Sequence, residues 1–473
     1  MAVLNTLAAV LMMAASGSQP MFTDVTAASG IPPLKYAEGV NIVDLDGDGL
    51  PEIFLPNVKG RDRLFRNLGG CRFGDVTDEY GLTESGGIGA VFGDLDCDGL
   101  LDLYVVRGAY PYGENVLYMQ DHGGRFVDVS KTSGAANRKN GISAAMEDVD
   151  GDGRLDIFAS NWGVNTLYRN RAKSGAVSFE DITVKAGLAE EGKSWGSVFS
   201  DFDCDGLTDL FVVRGGFGKP EEGRLYIKRP DGTFADRTPQ SGLKEARWSM
   251  GAAACDLDTD GDADLFITSY DGPDRLYMND GKGRFSLKDG AGITSSRSVG
   301  AAAGDIDGDL LPDIVVAGYQ GPVRVFRNLG GGKFKELKNA GIGNADRNEG
   351  IALADVDGDG DLDMYVANYD GDNRLYRNNA APGPALKVSA LSGKCAAAGA
   401  KIRLYKSGGL DDPKALLASH EVRAGYGFCS QSPFEAVFRL AENVKYDLSV
   451  SFPGGKKVMK KGVGPGQLVI QKP

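Results

Sequence analysis

Asp94-Leu95-Asp96-Cys97-Asp98-Gly99-Leu100-Leu101-Asp102, followed by Leu103-Tyr104-Val105-Val106, sets acids at positions 1, 3, 5 and 9 of a loop with glycine at position 6. The glycine suits a sharp turn, and the apolar run behind it reads as a buried strand. The pattern D-x-D-x-D-G-x-x-[DE] starts at Asp44, Asp94, Asp148, Asp201, Asp256, Asp305 and Asp355, at intervals of 50, 54, 53, 55, 49 and 50 residues. Seven copies in register define a repeat.

Around each copy the chain offers four strands. A Gly/Ala-rich segment precedes the loop, as at Gly89 to Phe92 or Gly300 to Ala303, and the apolar run follows it. An R-L-Y-R-N segment comes next (Arg63 to Asn67, Thr166 to Asn170, Arg275 to Asn279, Arg374 to Asn378), then F-x-D-V-T (Phe73 to Thr77, Phe126 to Ser130, Phe179 to Thr183). Four-stranded units at a period near 50 residues are the mark of propeller blades. The F-x-D-V-T strand also occurs at Phe22 to Thr26, before the first loop, and is missing after Arg374 to Asn378. The expected fold is therefore all-β: a seven-bladed β-propeller over residues 19–382 whose N-terminal strand completes the last blade, plus a small β domain at 383–473.

The loops read as calcium sites. Carboxylates at positions 1, 3 and 5 can converge on one cation, position 7 offers its carbonyl, and the acid at 9 can bind through both oxygens; such hard ligands suit Ca²⁺. The expected ligands are Asp44, Asp46, Asp48 and Glu52; Asp94, Asp96, Asp98 and Asp102; Asp148, Asp150, Asp152 and Asp156; and Asp201, Asp203, Asp205 and Asp209. The last three loops supply Asp256, Asp258, Asp260 and Asp264; Asp305, Asp307, Asp309 and Asp313; and Asp355, Asp357, Asp359 and Asp363. An EF-hand would place its final acid at position 12 and continue into a helix. Glu52 replaces aspartate in the first copy, and Leu310 stands where glycine is expected in the sixth. The loops take 28 of the 65 acidic residues, so seven bound Ca²⁺ would move the formal charge from −13 to about +1. The acidity reads as ligand demand, and it argues against a nucleic-acid partner, which needs clustered Lys and Arg.

These motifs resemble the FG-GAP or VCBS repeats of integrin α-type propellers, and more closely those of the cartilage acidic protein/UnbV group. The C-terminal segment resembles the ASPIC/UnbV domain through Gly399-Ala400-Lys401-Ile402, Gly425-Tyr426, Ser430-Gln431-Ser432, Phe438 with Leu440, and Phe452-Pro453-Gly454-Gly455. Val437-Phe438-Arg439-Leu440 stands where that domain usually has His-Phe-Gly-Leu, and Phe452 replaces a tryptophan. The resemblance implies structural calcium and extracellular adhesion or auxiliary roles.

Residues 1–18 hold an apolar stretch, Leu4 to Ala15, followed by Ser16-Gly17-Ser18. This suits a secretory signal and places the mature chain outside the cytoplasm: secreted, periplasmic or on the cell surface. An N-terminal core segment is the alternative reading. No stretch reads as a membrane span. The six cysteines form no CxxC pair. Their positions in the repeat allow Cys71–Cys97 and Cys204–Cys255 bridges, and Cys395–Cys429 would form a third within the small C-terminal domain, against the alternative of six buried thiols.

On the face opposite the acidic loops the turns carry Arg107, Tyr110, Trp162, Trp195, Arg214, Trp248, Tyr270, Tyr319 and Tyr369, with Tyr112 and Phe217 nearby. Exposed together, such residues form protein- or glycan-binding surfaces; the alternative is that several pack between blades. With only His122 and His420 and no G-x-S-x-G or HExxH motif, no catalytic residue is assigned. The leading expectation is a calcium-binding adhesion module. A polysaccharide-active or biosynthetic auxiliary enzyme using Arg107, Arg214 and Tyr270 is the alternative, and a purely structural surface protein is a third reading.

Overall fold

In a computed structural model, residues 20–83, 86–108, 113–172, 177–216, 220–243, 247–343, 346–380 and 383–473 are described. The segment expected as a signal, and Tyr110, Tyr112 and Phe217, lie outside them. Seven four-stranded antiparallel units follow in chain order. Blade 2 is typical, with Gly87–Gly93, Asp102–Arg107, Val116–Gln120 and Phe126–Asp128 running from the innermost strand outward. The N-terminal strand Phe22–Asp24 pairs antiparallel with Arg374–Asn378 and supplies the outer strand of blade 7. The F-x-D-V-T segments differ from expectation. Only Phe-x-Asp is strand, because the aspartate turns the chain, as where Thr77 N–H donates to Asp75 Oδ1 at 3.0 Å, and the Thr or Ser side chain bonds back to the neighbouring strand.

Blades 3 and 4 are not separate sheets. Asp156–Val164 and Glu191–Ser200 run past the length of their counterparts and pair with each other through Trp162↔Lys193, Gly163↔Gly192 and Val164↔Glu191. The resulting arm projects on the face away from the acidic loops.

Adjacent blades are joined by a repeated hydrogen-bond device. The asparagine that ends R-L-Y-R-N donates its Nδ2 both to its own acidic loop and to the loop of the blade before it. Asn170 bonds Leu155 and Leu95 carbonyls at 3.0 and 2.7 Å, Asn279 bonds Ala263 and Phe202 at 3.1 and 2.8 Å, and Asn328 bonds Pro312 and Leu257 at 2.9 Å each. Asn378 ties blade 7 to Ile306 of blade 6 at 2.8 Å, and Asn67 ties blade 1 to Val356 of blade 7, also at 2.8 Å. Gln120 and Lys228 stand at this position in blades 2 and 4. Burial lowers the Lys228 ammonium below the usual lysine range, and it lies in the field of Asp156, Asp150 and Glu147 of blade 3.

The C-terminal region forms two further four-stranded sheets around a core that includes Ile402, Leu404, Leu448 and Val450. It sits on the acidic-loop face. From it residues 424–432 enter the central channel and meet the innermost strand of every blade. Ala424 O accepts from Met146 of blade 3 at 2.9 Å, and Ser430–Gln431 pairs in parallel with Val40 and Asn41 of blade 1. The Gln431 side chain bonds both backbone groups of Phe92 in blade 2, at 2.8 and 3.1 Å, and Ser432 Oγ accepts from Leu353 of blade 7 at 3.1 Å. Gly427 lies against blades 4, 5 and 6, near Gly196, Ala252 and Ala301. The Gly425-Tyr426 and Ser430-Gln431-Ser432 motifs thus belong to a plug, which sequence reasoning did not foresee.

Gly196 has room for no side chain, since a Cβ there would lie 1.8 Å from the Gly427 carbonyl oxygen. Gly196→Ala is expected to lower stability in urea unfolding by about 1–3 kcal/mol and to speed proteolysis within 424–432. Gly343→Ala, which meets nothing within 4 Å, is the control and leaves both unchanged.

Candidate functional site

The acidic loops share one backbone pattern. In all seven, the position-6 N–H donates to Oδ2 of the first aspartate, from Gly99 to Asp94 at 2.9 Å and from Gly360 to Asp355 at 3.1 Å, for example. Leu310 makes the same bond to Asp305 at 2.9 Å although its φ is +71°. A left-handed leucine is costly; here the side chain packs against the core of the C-terminal domain, which gives the exception its physical reason.

The position-9 acid binds backbone through both oxygens. Asp156 accepts from Val149 at 3.0 Å and Asn170 at 2.7 Å, Asp313 from Ile306 at 3.1 Å and Asn328 at 2.7 Å, and Glu52 from Leu45 at 2.9 Å and Asn67 at 3.2 Å. One lone pair on each oxygen is therefore committed to the fold and the other remains for a cation. Sequence reasoning missed this double role.

Within single loops, Asp44, Asp46 and Asp48, or Asp94, Asp96 and Asp102, or Asp148, Asp150 and Asp156, or Asp201, Asp203 and Asp209, bring carboxylate oxygens within 4.8 Å of one another, and such clusters could hold a metal ion. The donor set fits a hard cation: it is all oxygen, and the buried Oδ1 atoms of Asp203, Asp258 and Asp307 accept no hydrogen bond. Basic side chains reach several of the same carboxylates. Arg169 pairs with Asp150, Arg327 with Asp307, Lys387 with Asp355 at 3.0 Å and Lys401 with Asp201 at 3.4 Å. The last two come from the C-terminal domain, as do Lys394, on the Asp98 carbonyl at 2.9 Å, and Arg403, on the Gly261 carbonyl at 2.9 Å. Between the domains a cavity of about 300 Å³ is walled by Leu310, Leu353, Lys387, His420 and Phe434. Burial, then Arg423, lowers the His420 imidazole to about 4.

On the opposite face the plug tip, Phe428 and Cys429, packs with Ile88, Ile142, Trp195, Met250 and Val299. Around it runs a collar. Trp162 meets Trp195 with ring centroids 5.0 Å apart, Trp195 meets Trp248 at 6.4 Å, Trp248 meets Tyr270 at 4.1 Å and Tyr270 meets Tyr319 at 4.6 Å. The Arg347 guanidinium lies 5.3 Å from the Tyr319 ring and 4.1 Å from Tyr369, Tyr369 meets Tyr36 at 5.5 Å, and Lys59 caps Tyr36 at 4.2 Å. Lys193 lies 5.7 Å over Trp162 at the other end. Beneath Arg347, its partner Glu349 is fully buried, and burial raises that carboxyl to about 8 and the adjacent Glu38 to about 7.

Six of the expected residues, Trp162, Trp195, Trp248, Tyr270, Tyr319 and Tyr369, thus come together. Trp195 is 6% exposed, with Nε1 bonded to the Gly215 carbonyl at 2.8 Å; it supports the collar from below. Arg107 and Arg214 do not belong to the surface. Both are buried, and Arg214 is neutralised by Glu190 and Glu221, each at 3.0 Å. Sequence reasoning missed Tyr36, Lys59, Arg347 and Phe428; the first three lie in turns at the positions of the aromatics it did find, and only the plug brings in the fourth.

The repeats match the family of FG-GAP-like repeats over residues 44–105, 98–159, 148–212, 201–267, 256–316 and 305–366, and the chain belongs to that family. Among characterised proteins it is similar to Cartilage acidic protein 1 of Xenopus tropicalis, 27% identical over 313 residues covering 57% of this chain and 47% of that protein. The Homo sapiens protein of the same name is 27% identical over 314 residues, covering 57% and 46%. The chain spans about half the length of these relatives. In fold it is similar to BBS1N, solved in complex with ARL6DN, with a TM-score of 0.50 and 10% identity over 77% of this chain and 99% of that one. Among the described residues no helix is long and apolar enough to cross a membrane.

Without a cation, burial first and then the neighbouring loop acids raise Asp156, Asp209, Asp264 and Asp313 to about 8. Carboxyls in an unfolded chain titrate near 4. Between about pH 4 and 8 the cation-free fold therefore binds more protons than the unfolded chain, and its stability falls as pH rises through that window. Melting in chelator is expected at a lower temperature at pH 8 than at pH 5, and added divalent cation is expected to raise it most at pH 8. Thermal scans under the four conditions check both.

Proposed function

We propose that this chain is an exported, calcium-stiffened binding module whose aromatic and cationic collar docks a protein or glycan. The observation that carries the reading is the collar itself: tryptophans, tyrosines, Arg347 and Lys59 ordered side by side around the plug tip. Trp, Tyr and Arg dominate binding hot spots, because each presents a large rigid surface together with a polar or charged handle. Aromatic faces beside fixed cations also suit the apolar faces and hydroxyls of sugars. The C-terminal domain occupies the acidic-loop face, which leaves the collar face as the docking surface.

Calcium is proposed in the seven loops, through the acids at positions 1, 3, 5 and 9 named above, with a structural role. The position-9 acids that would take the ion are the same ones that tie strands together, so the cation would stiffen the blades and leave the collar's chemistry unchanged. Export is proposed from the apolar segment Leu4 to Ala15, with support from the similarity to Cartilage acidic protein 1. The enzymatic alternative has less support: residues 424–432 fill the channel, and Arg107 and Arg214 are buried.

The test is capture from a glycan array and from a secreted-protein fraction, in calcium and in chelator. Trp248→Ala and Lys59→Ala are expected to weaken capture at least about tenfold, the scale of a hot-spot loss, with unchanged melting temperature for Lys59→Ala. Ligand capture indifferent to both variants would remove the collar from the reading. A melting temperature unmoved by chelator would remove calcium.

A further inference from the structure

The C-terminal domain is held to the propeller without a covalent tie. Cys71 faces Asp357 across the boundary between blades 1 and 7, with Sγ 3.8 Å from Oδ2. Cys429 is in the channel, its Sγ 3.1 Å from the Ile142 carbonyl oxygen. All six cysteines are free thiols, so the Cys71–Cys97, Cys204–Cys255 and Cys395–Cys429 bridges allowed by the sequence are not formed. The plug and a set of basic side chains do the holding instead, with Lys387, Lys394, Lys401 and Arg403 lying on the acidic loops. A second set of cations in the same domain is not used in this way.

The run Lys456-Lys457-Val458-Met459-Lys460-Lys461 sets four lysines within six residues. Across residues 441–473 six lysines stand against Glu442 and Asp447, a side-chain balance of +4 in a chain whose total is −13. The strand Lys457–Val463 is the edge of its sheet, beyond Leu416–Glu421, Lys401–Lys406 and Tyr446–Ser451, and it pairs with Tyr446–Ser451 alone. Val458 packs on the core of the domain, while the four lysines are exposed and Met459 is 50% exposed. Neighbouring acids do not cancel the row. Asp447 is buried, and its two oxygens accept from the Gly408 and Gly462 N–H groups at 2.9 and 3.0 Å. Lys457 pairs with Asp411, and Lys456 donates to the Pro473 carbonyl. Among the described residues, Lys460 and Lys461 form no ion pair, and none of the four lysines bonds to an acidic loop.

Lysine on an exposed edge strand can serve only to discourage pairing with another chain. This chain guards its other edges differently. In six of the seven blades the outer strand ends on an acid, at Asp24, Asp75, Asp128, Asp181, Asp236 and Glu336. The Lys457–Val463 strand is also bulged between Lys460 and Val463, where Gly462 takes a φ of +66°, and a bulge already spoils an edge for pairing. Four lysines exceed that task. We propose that Lys456, Lys457, Lys460 and Lys461 form a binding site for an acidic polysaccharide, a linear chain bearing sulfate or uronate groups. Lysine-rich runs of this length attract such polyanions, and the ammonium is a point charge that needs no forked partner. From Lys457 to Lys461 the strand covers about 13 Å, beyond the roughly 8 Å over which charge is felt at physiological salt. A small anion therefore meets part of the row, and an anionic chain laid along it meets all of it. A lipid surface asks for a broad face with several apolar side chains, and Met459 is the one well-exposed apolar residue of the strand. Bases would be read by arginine forks or aromatic rings, and residues 453–473 contain neither. The site lies in the C-terminal domain and is independent of the collar.

The test measures binding of the full chain to immobilised heparin in calcium, from low salt upward. The expected result is an affinity that falls steeply with salt and is indifferent to neutral dextran. Lys460→Glu with Lys461→Glu is expected to weaken it at least about tenfold, as loss of charge contacts to a polyanion does. Lys333→Glu with Lys335→Glu makes the same charge change on blade 6 and is expected to leave it unaltered, as is Trp248→Ala in the collar. Both substituted side chains of the edge strand are exposed, so the melting temperature is expected to hold; the salt dependence in the wild-type chain is read whether or not it does. Heparin binding absent from the wild type, or lost equally in both lysine pairs, overturns the proposal. So does loss in Trp248→Ala alone, which would place the polyanion on the collar and leave the docking reading of that face standing. Tighter binding to phosphatidylserine–phosphatidylcholine vesicles or to duplex DNA than to heparin overturns it in favour of those partners. Self-association of Lys460→Glu with Lys461→Glu in sedimentation, with heparin binding unchanged, would leave the lysines as an edge guard and nothing more.

Discussion

Each blade depends on one carboxylate held by two backbone N–H groups. The acid at position 9 of the loop accepts from the residue at loop position 2 with one oxygen and from the third strand of its blade with the other, as Asp102 does from Leu95 and Gln120 at 2.8 and 3.0 Å. Buried N–H groups without a partner are costly, and this acid satisfies two that the tight turn would otherwise strand. In five blades the next step in the chain of contacts is the asparagine amide, which carries the connection to the preceding blade. The acidic loops are thus framework first. Carboxylates so placed are also concentrated, desolvated and mutually repulsive, and a hard cation or a proton relieves them.

The C-terminal domain engages the same loops from outside. Its lysines and arginines lie on loop carbonyls and on first-position aspartates, and its segment 424–432 follows the channel to the far mouth. The plug has a second effect, since it provides the floor on which the collar stands. Trp195 packs against Phe428 with centroids 6.3 Å apart, and the other rings follow around that centre. A surface at one end of the molecule is in this way shaped by a domain attached at the other.

Much of the fold was legible in the sequence because the repeat is a local signal. The loops fix the blade count, and the displaced Phe22 to Thr26 segment announces that the first strand belongs to the last blade. The plug was not legible. Nothing in residues 424–432 has a periodicity, and their partners are seven strands spread from Val40 to Leu353. For the site, turn positions alone located six aromatic residues, and turn position also misled: Arg214 ends a strand like the others, yet Glu190 and Glu221 draw it inward. Leu310 was visible as an exception, but its reason, a contact with another domain, required three dimensions.

The N-terminal strand of blade 7 also governs the order in which the molecule can be built. Phe22–Asp24 emerges first in synthesis and has to wait for Arg374–Asn378 before it has a partner. Contacts between such distant segments form slowly, because the intervening chain must lose its freedom before they return any gain. The plug is made later still, and its contacts reach every blade, so its seat is complete only when the ring has assembled. Maturation of this chain is therefore a sequence of arrivals in which a segment made after all seven blades checks the work of all of them: blades misordered or out of register leave no seat for Ser430 and Gln431, and the acidic face stays uncovered.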